Sequence, residues 1–268
     1  MVEMGLHIFV CYCIFHNKSV TLFFTCINNL ILSKITSRES FNMFCRNAFS
    51  IRMGFWNVGG LIKKQHNKIL DPPFLKEIEN LDLVFLAETH LGYNSNISKI
   101  GQFHCHLTCR PVTNYNNRHF GGLAVLCKPS LKSYVKILKT TKPDIQWIKL
   151  EKEFFGFIKD LFICIVYNPP EGSSYSKNLD YDILDCLEKD IVSYKKQGNI
   201  ILCGDFNARV ATYPDFIIQD DNYFTPLYQS YRSDKQILKR NSKDEKIEKR
   251  GRDLLDLCIS KPDKNYEW

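Results

Sequence analysis

One kind of segment recurs along this sequence and restricts the possible folds most: a short apolar run that ends in a polar side chain. The run IILCGDFNARV (residues 200–210) places Asp205 and Asn207 directly after its apolar residues. FWNV likewise reaches Asn57, and LVFLAETH reaches Glu88. Runs of four to eight apolar residues are typical of strands that are buried on both faces. The sequence therefore predicts buried strands with polar ends, although an Asx turn would also explain Asp205 and Asn207.

The remaining segments combine strands with a few helices. Four further runs have the β-branched and aromatic content of strands: FHCHLTCR, GGLAVLCKP, DIQWIKLEK and DLFICIVYNPP. Three segments predict helices: DPPFLKEIENL, which opens with a Pro pair, LDYDILDCLEKDIVSYKK, whose apolar residues have helical spacing, and GRDLLDLCIS. Clustered strands followed by strands that helices separate predict a mixed sheet with helices outside it, an α/β sandwich.

The first 50 residues differ in character from the rest of the chain. GLHIFVCYCIF and VTLFFTCINNLIL are apolar, but each is shorter than the ~20 residues that a helix needs to span a bilayer. We therefore expect residues 1–50 to form an apolar, irregular leader, helical or disordered, outside the domain. A membrane anchor is the alternative. Residues 51–268 are expected to form one domain.

Charge and cysteine content narrow the possible environment and partners. The formal net charge of +7 favours a polyanionic partner without requiring one. The stretch from Arg232 to Arg252 carries most of the basic excess, and either contact with DNA phosphates or a solvated loop accounts for it. Eleven cysteines, several of them within strand-like runs, predict buried free thiols in a reducing compartment.

The polar strand ends together predict chemistry at a phosphate group. If neighbouring strands run in the same direction, Asn57, Glu88 and Asp205 converge on one edge of the sheet. Amide and carboxylate oxygens are hard ligands that suit Mg²⁺ or Mn²⁺. Such an ion would neutralise charge that builds up on a phosphate, and a neighbouring Asp could orient a water molecule.

The ordered set of motifs resembles a known family. WNVGGL, LVFLAETHL, GGLAVLCK, IVYNPPEGS, IILCGDFNARV and GRDLLDLC are similar in kind and order to the endonuclease/exonuclease/phosphatase superfamily, the deoxyribonuclease-like fold. The nearest match is the endonuclease module of non-LTR retrotransposons, with its craniofacial development protein-like relatives. The resemblance implies a four-layer α/β sandwich, with two mixed β-sheets packed face to face and helices on the outside.

The resemblance also implies roles for individual residues. Asn57 and Glu88 match the metal-binding Asn and Glu, so the implied cofactor is Mg²⁺, or alternatively Mn²⁺. Tyr167 matches the Tyr that supports the scissile phosphate, Asp205 the Asp that positions the attacking water, and Asn207 its partner. Two residues are expected to contact the substrate: Arg118, in NYNNRHFGG, and Asn168, in VYNPP. For the segment around Arg118, a surface loop without contact to the substrate is the alternative. The implied reaction is hydrolysis of a DNA phosphodiester that leaves a 3′ hydroxyl.

The sequence departs from the family pattern after its last motif. Relatives end with further strands and a Ser-Asp-His segment, whereas no histidine follows His119 here. We therefore expect a domain without its last strands that is weakly active or inactive. Two alternatives remain: a catalytically dead nucleic-acid-binding or vestigial fragment, and a phosphomonoesterase or inositol-phosphate phosphatase. With DNA as the implied partner, we expect an intracellular protein, nuclear or cytoplasmic.

Overall fold

The computed structural model describes the following parts of the chain: residues 8–12, 20–25, 50–63, 66–111, 119–140, 142–209 and 248–259. The chain divides into two compact units, residues 1–207 and 208–268. In the second unit the described residues include one helix, Lys249–Ile259, in the GRDLLDLC segment for which the sequence predicts a helix. Arg118 and most of the basic stretch from Arg232 lie outside the described residues.

The strands of the first unit coincide closely with the apolar runs. They are β1 (Ile8–Tyr12), β2 (Val20–Thr25), β3 (Ser50–Asn57), β4 (Ile62–Lys63), β5 (His66–Asn67), β6 (Leu83–Ala87), β7 (Lys99–Ile100), β8 (Phe103–Thr108), β9 (Leu123–Cys127), β10 (Val135–Ile137), β11 (Ile145–Leu150), β12 (Asp160–Tyr167) and β13 (Gly198–Asp205). The α-helices of this unit are α1 (Pro72–Glu79), α2 (Lys152–Phe155), α3 (Ser174–Lys177) and α4 (Ile183–Lys195). Short 3₁₀ helices cover Lys68–Leu70 and Pro129–Leu131.

Two mixed sheets form the centre of this unit. One has five strands in the order β1-β13-β12-β11-β10, and the other has six in the order β2-β3-β6-β9-β8-β7. Within the first sheet β12 is parallel to β13, and within the second β3 is parallel to β6. The other pairs in these sheets are antiparallel, except that β1 also runs parallel to β13.

The sheets pack face to face through one apolar layer. Alternate residues of β3, β6 and β9 meet alternate residues of β11, β12 and β13 in a single buried cluster; large members are Phe85, Phe155, Met53, Ile163 and Ile201. Side chains of a strand alternate between its faces, so every second residue lies in this layer. The residues between them point to the outer faces of the two sheets, where helices bury them.

Helices cover both outer faces. Phe74 and Ile78 of α1 are buried with Val84 and Leu126 on the far side of the six-stranded sheet. On the five-stranded sheet, Tyr194 of α4 stacks on Phe162, with 4.8 Å between ring centroids. The order helix, sheet, sheet, helix is the four-layer α/β sandwich that the resemblance implies, and that prediction is confirmed.

Two segments of the expected leader have regular backbone structure. β1 pairs with β13 at one edge of the five-stranded sheet, and β2 pairs with β3 at one edge of the six-stranded sheet. This differs from the helical or disordered structure expected there, because runs rich in β-branched and aromatic residues can also pair with an open sheet edge. The domain boundary expected at residue 50 stays a prediction.

Six cysteines within the part of the chain that the structure describes are free thiols: Cys105, Cys109, Cys127, Cys164, Cys186 and Cys203. Four of the six are buried, as expected from their positions in strand-like runs. Burial raises the pKa of Cys127 to about 11, so this thiol stays protonated and unreactive near neutral pH. Among the helices of the described residues, none is long and apolar enough to cross a membrane.

Candidate active site

The polar strand ends meet at one edge of the sandwich. β3 ends at Asn57, whose Cα partner on β6 is Ala87, the residue before Glu88. β12 ends at Tyr167, whose Cα partner on β13 is Asp205. Because each of these pairs is parallel, the carboxyl ends of the two strands lie side by side. The convergence that the sequence predicts for neighbouring strands is therefore present in each sheet.

A hydrogen bond between side chains connects the two sheets at this edge. Asn57 Nδ2 donates to Asp205 Oδ2 at 2.8 Å, across 148 positions of sequence. The amide oxygen of Asn57 accepts the backbone N–H of Gly59 at 3.1 Å. These two contacts fix the orientation of the amide, since only its nitrogen can donate to the carboxylate.

Glu88 and Tyr167 make a second connection between the sheets. The Tyr167 side chain is 6% exposed, and its hydroxyl is hydrogen-bonded to the Glu88 carboxylate. Burial, together with this acidic partner, raises the pKa of Tyr167 well above its usual range. The phenol therefore stays protonated and can donate a hydrogen bond. On its other side Glu88 lies 3.7 Å from His90 Nε2, where burial lowers the pKa of the imidazole.

The backbone around Glu88 is held in an unusual conformation. Glu88 and His90 have φ angles of 53° and 54°, in the left-handed region that residues with a Cβ rarely adopt. Hydrogen bonds on both sides keep it there: Gly60 N–H donates to Glu88 O at 2.7 Å, and His90 N–H donates to Gly121 O at 2.9 Å. Such conformations cost on the order of 1–3 kcal/mol each and cluster at functional sites.

Asp205, Asn207 and Asn168 form a compact polar turn. Asp205 Oδ1 accepts the backbone N–H of Asn207 at 3.1 Å, which is the Asx contact that the sequence left open as an alternative. Asn207 also donates from Nδ2 to the carbonyl of Asn168 at 2.8 Å, and Asn168 N–H donates to the carbonyl of Asp205 at 2.8 Å. The turn thus sets the Asp205 carboxylate between Asn57 and Asn207.

The donor set at this edge fits a hard divalent cation. Glu88 and Asp205 supply carboxylate oxygens and Asn57 an amide oxygen, and all three side chains are partly accessible to solvent. No lysine or arginine forms an ion pair with Glu88 within the part of the chain that the structure describes. The same residues contain no group of three or more His, Cys, Asp and Glu residues that could enclose an ion. Waters and a substrate phosphate would therefore have to complete the coordination.

A buried ion pair lies beside Tyr167, and sequence reasoning missed it. Arg110 Nε donates to Asp144 Oδ1 at 2.6 Å, and these two residues are 6% and 0% exposed. Asp144 Oδ2 accepts the hydroxyls of Tyr175 and Tyr181 at 3.1 and 3.0 Å. The sequence offers no signal for this pair, because its members are 34 positions apart and Pro143-Asp144 has the composition of a turn.

The structure thus brings together six of the seven residues selected from the sequence: Asn57, Glu88, Tyr167, Asn168, Asp205 and Asn207. Arg118 lies outside the described residues. The roles assigned to these residues stay predictions. Two further residues lie beside this set: His90 contacts Glu88, and Arg110 contacts the ring of Tyr167 with 5.0 Å between guanidinium carbon and ring centroid.

Comparison with known proteins identifies the family. The sequence model of the Endonuclease/Exonuclease/phosphatase family matches residues 54–233, which include every one of the selected site residues. No curated protein sequence matches the chain.

Several solved structures are similar to this one. An AP endonuclease from Archaeoglobus fulgidus is 15% identical with a TM-score of 0.39, and the match covers 63% of this chain and 61% of that one. A 3′ phosphatase from Neisseria, bound to a product DNA hairpin, is 14% identical with a TM-score of 0.38, covering 61% and 59%. The human Nocturnin catalytic domain with bound sulfate is 18% identical with a TM-score of 0.38, covering 59% and 64%. This chain thus spans about three fifths of the length of these proteins.

Proposed function

We propose that this chain, which belongs to the endonuclease/exonuclease/phosphatase family, is a divalent-metal-dependent phosphodiester hydrolase that cuts DNA, of the type found in non-LTR retrotransposons. Members of this family are phosphodiesterases, nucleases and phosphatases. The observation that carries the proposal is the hydrogen bond from Asn57 to Asp205, next to the Glu88–Tyr167 contact. These contacts gather amide, carboxylate and phenol groups from both sheets at one partly exposed edge.

Each residue has a task that follows from its contacts. Asn57 and Glu88 would hold Mg²⁺ or Mn²⁺, which supplies positive charge against the phosphate oxygens. Asp205, held by Asn57 and Asn207, would orient a water molecule in line with the bond to be broken. Tyr167 has a single O–H, so its protonated hydroxyl would turn from Glu88 to donate to one non-bridging phosphate oxygen, and the amide of Asn207 would hold another. Attack at phosphorus would break the P–O3′ bond and leave a 3′ hydroxyl and a 5′ phosphate.

The choice of DNA as substrate has two supports. The chain carries a net charge of +7, which favours a polyanion. The order of its motifs, especially GDFNARV followed by GRDLLDLC, resembles that of the retrotransposon branch and favours it over the phosphatases. A DNA substrate implies an intracellular location, nuclear or cytoplasmic, and we extend the proposal to that.

A cleavage assay with enzyme in excess tests the proposal. The assay must be able to detect slow hydrolysis, so cleavage is followed under single-turnover conditions. The purified 268-residue chain is incubated with supercoiled plasmid and Mg²⁺ or Mn²⁺, and in parallel with inositol phosphates and a phosphate-release readout. We expect metal-dependent nicking that Glu88→Ala and Asp205→Asn abolish. Glu79→Gln, which changes an exposed carboxylate on α1, is the matched control and should nick like the wild type.

Other outcomes would decide against the proposal. Phosphate release from inositol phosphates without nicking would favour the phosphatase alternative. Binding of DNA without any cleavage, even with Mn²⁺ and long incubation, would favour a catalytically dead binding fragment.

A further inference from the structure

The ion pair between Arg110 and Asp144 has no task in the mechanism above, yet its position is costly. Removing both charges from water costs several kcal/mol per ion unless the surrounding contacts compensate for it. Arg110 follows β8 of the six-stranded sheet, and Asp144 precedes β11 of the five-stranded sheet. The pair therefore connects the two sheets at the same end as the candidate site.

The guanidinium of Arg110 lies between two tyrosine rings. Its Cζ is 3.6 Å from the ring centroid of Tyr175 and 5.0 Å from that of Tyr167. Arg is well suited to such a position because its planar group can stack on aromatic faces while it donates to a carboxylate. Contact with this plane restricts the position of the Tyr167 ring.

Asp144 holds the same tyrosine through the backbone. Its carbonyl accepts the N–H of Tyr167 at 3.0 Å, and its carboxylate accepts Tyr175 and Tyr181. The contact of Asp144 with Tyr175 in turn fixes one wall of the space that Arg110 occupies. Burial, together with Asp144, raises the pKa of Tyr175 to about 12, so its hydroxyl remains a donor.

The guanidinium also packs against the loop that fixes Glu88. A Cβ placed on Gly121 would overlap the Arg110 guanidinium, and Gly121 has a φ of +68° that favours glycine. The carbonyl of Gly121 accepts the N–H of His90, two residues after Glu88. The Arg110 side chain thus contacts the ring of Tyr167, which carries the donor of the Glu88–Tyr167 hydrogen bond. It also contacts Gly121, which holds the loop that carries the acceptor, Glu88.

We propose that Arg110, fixed by Asp144 and Tyr175, is a positioning residue that sets the Tyr167 hydroxyl against Glu88. It does not touch the phosphate; it acts through Tyr167. The catalytic meaning of this role rests on the proposed function, but the positioning itself does not. The planar stacked face of the guanidinium is the feature that matters, since a lysine at 110 could keep the charge opposite Asp144 but has no such face.

A spectroscopic double-mutant cycle tests this coupling without any need for cleavage. The full chain is labelled with 3-fluorotyrosine at its 13 tyrosines, and the Tyr167 fluorine signal is assigned by its loss in Tyr167→Phe. Glu88→Gln changes the hydrogen-bond partner of Tyr167 and should shift that signal. We expect this shift to fall to half or less in an Arg110→Lys background, where the ring is no longer held.

The matched control is Arg52→Lys, which makes the same change at the ion pair that Arg52, on β3, forms with Asp82. In that background the Glu88→Gln shift should remain complete. An undiminished shift in the Arg110→Lys background would overturn the proposal. If Arg110→Lys loses its near-ultraviolet circular dichroism and is therefore not folded, Tyr175→Leu, which removes one wall of the space, takes its place with the same expectation.

Single-turnover nicking then links the coupling to catalysis. If Arg110 acts through Tyr167, the double variant Arg110→Lys with Tyr167→Phe should cleave no more slowly than the slower single variant. Additive losses would indicate a separate, merely structural role and would overturn the proposal. Absence of cleavage by the wild type, with the fluorine coupling intact, would contradict the proposed function and leave the positioning role supported.

Discussion

A carboxylate lies at each end of the parallel strands β3 and β6, and these two carboxylates have very different neighbours. Before β6, Asp82 accepts Arg52 N–H at 2.8 Å and Lys128 Nζ at 3.0 Å, and Arg52 Nε lies 3.3 Å away. After β6, Glu88 accepts the hydroxyl of Tyr167 and lies near His90, whose pKa burial lowers. Asp82 therefore has permanent positive partners, whereas Glu88 has polar partners and, among the described residues, no lysine or arginine.

The difference separates a carboxylate that serves the fold from one that is available to a ligand. The contacts of Asp82 join β3, β6 and the residue after β9. Asp82 therefore has a structural role at the end of the sheet where β6 begins. Glu88 instead combines partial burial with a left-handed backbone and incomplete charge compensation. Negative charge held in this way attracts a cation from solution. The third carboxylate, Asp144, lies at the same end of the sandwich but is paired with the Arg110 guanidinium.

The largest expected effect concerns that compensated pair. Asp144→Asn should lower the free energy of unfolding by about 3–5 kcal/mol, because it leaves the Arg110 guanidinium buried without a counter-charge. Urea denaturation of the full chain measures it. Asp82→Asn is the control and should cost only about 1 kcal/mol, since the Arg52 side chain is 41% exposed. Equal losses in the two variants would contradict the distinction between buried and exposed pairs.

The second largest effect concerns Glu88, at the end of the strands where the candidate site lies. Glu88→Gln should weaken Mn²⁺ binding at least about tenfold, since it removes a charged ligand, while the free energy of unfolding stays the same or rises. Electron paramagnetic resonance of free Mn²⁺ in a titration measures the affinity. Asp82→Asn should bind Mn²⁺ like the wild type. Unchanged binding by Glu88→Gln would remove Glu88 from the metal site.

The smallest effect is a pH dependence at the other end of the strands. Desolvation by burial opposes ionisation of Asp82, but hydrogen bonds from Arg52 and Lys128 outweigh it and lower the pKa of this carboxyl. A folded-state pKa below the unfolded value of about 3.9 gives stability that is present above that value and is lost as the pH falls through the folded pKa. The cost of Asp82→Asn should therefore shrink between pH 5 and pH 2. A cost that is constant with pH would show that ionisation of Asp82 contributes nothing.

Local sequence patterns predicted most of the strands and helices of the domain. Buried strands were expected where β3, β6, β12 and β13 lie, because a strand buried on both faces requires a continuous apolar run. Short elements were missed: α2 begins at the last residue of the run DIQWIKLEK, which was assigned to a strand, and Gly156, with φ +68°, caps its C-terminal end. A helix of four residues has too few positions to show a periodicity.

The sequence by itself determined which residues lie at the strand ends. An apolar run and the polar residue that ends it are adjacent along the chain and can be recognised without the fold. Asn57, Glu88 and Asp205 could be selected in that way, whereas Tyr167 was selected only through the family resemblance. Only the tertiary structure decided that Asn57 meets Asp205, that Tyr167 donates to Glu88, and that Arg110 lies between two tyrosine rings. Those contacts join residues from different sheets, and the energy that selects them comes from burial and charge compensation, which exist only once the sheets have packed.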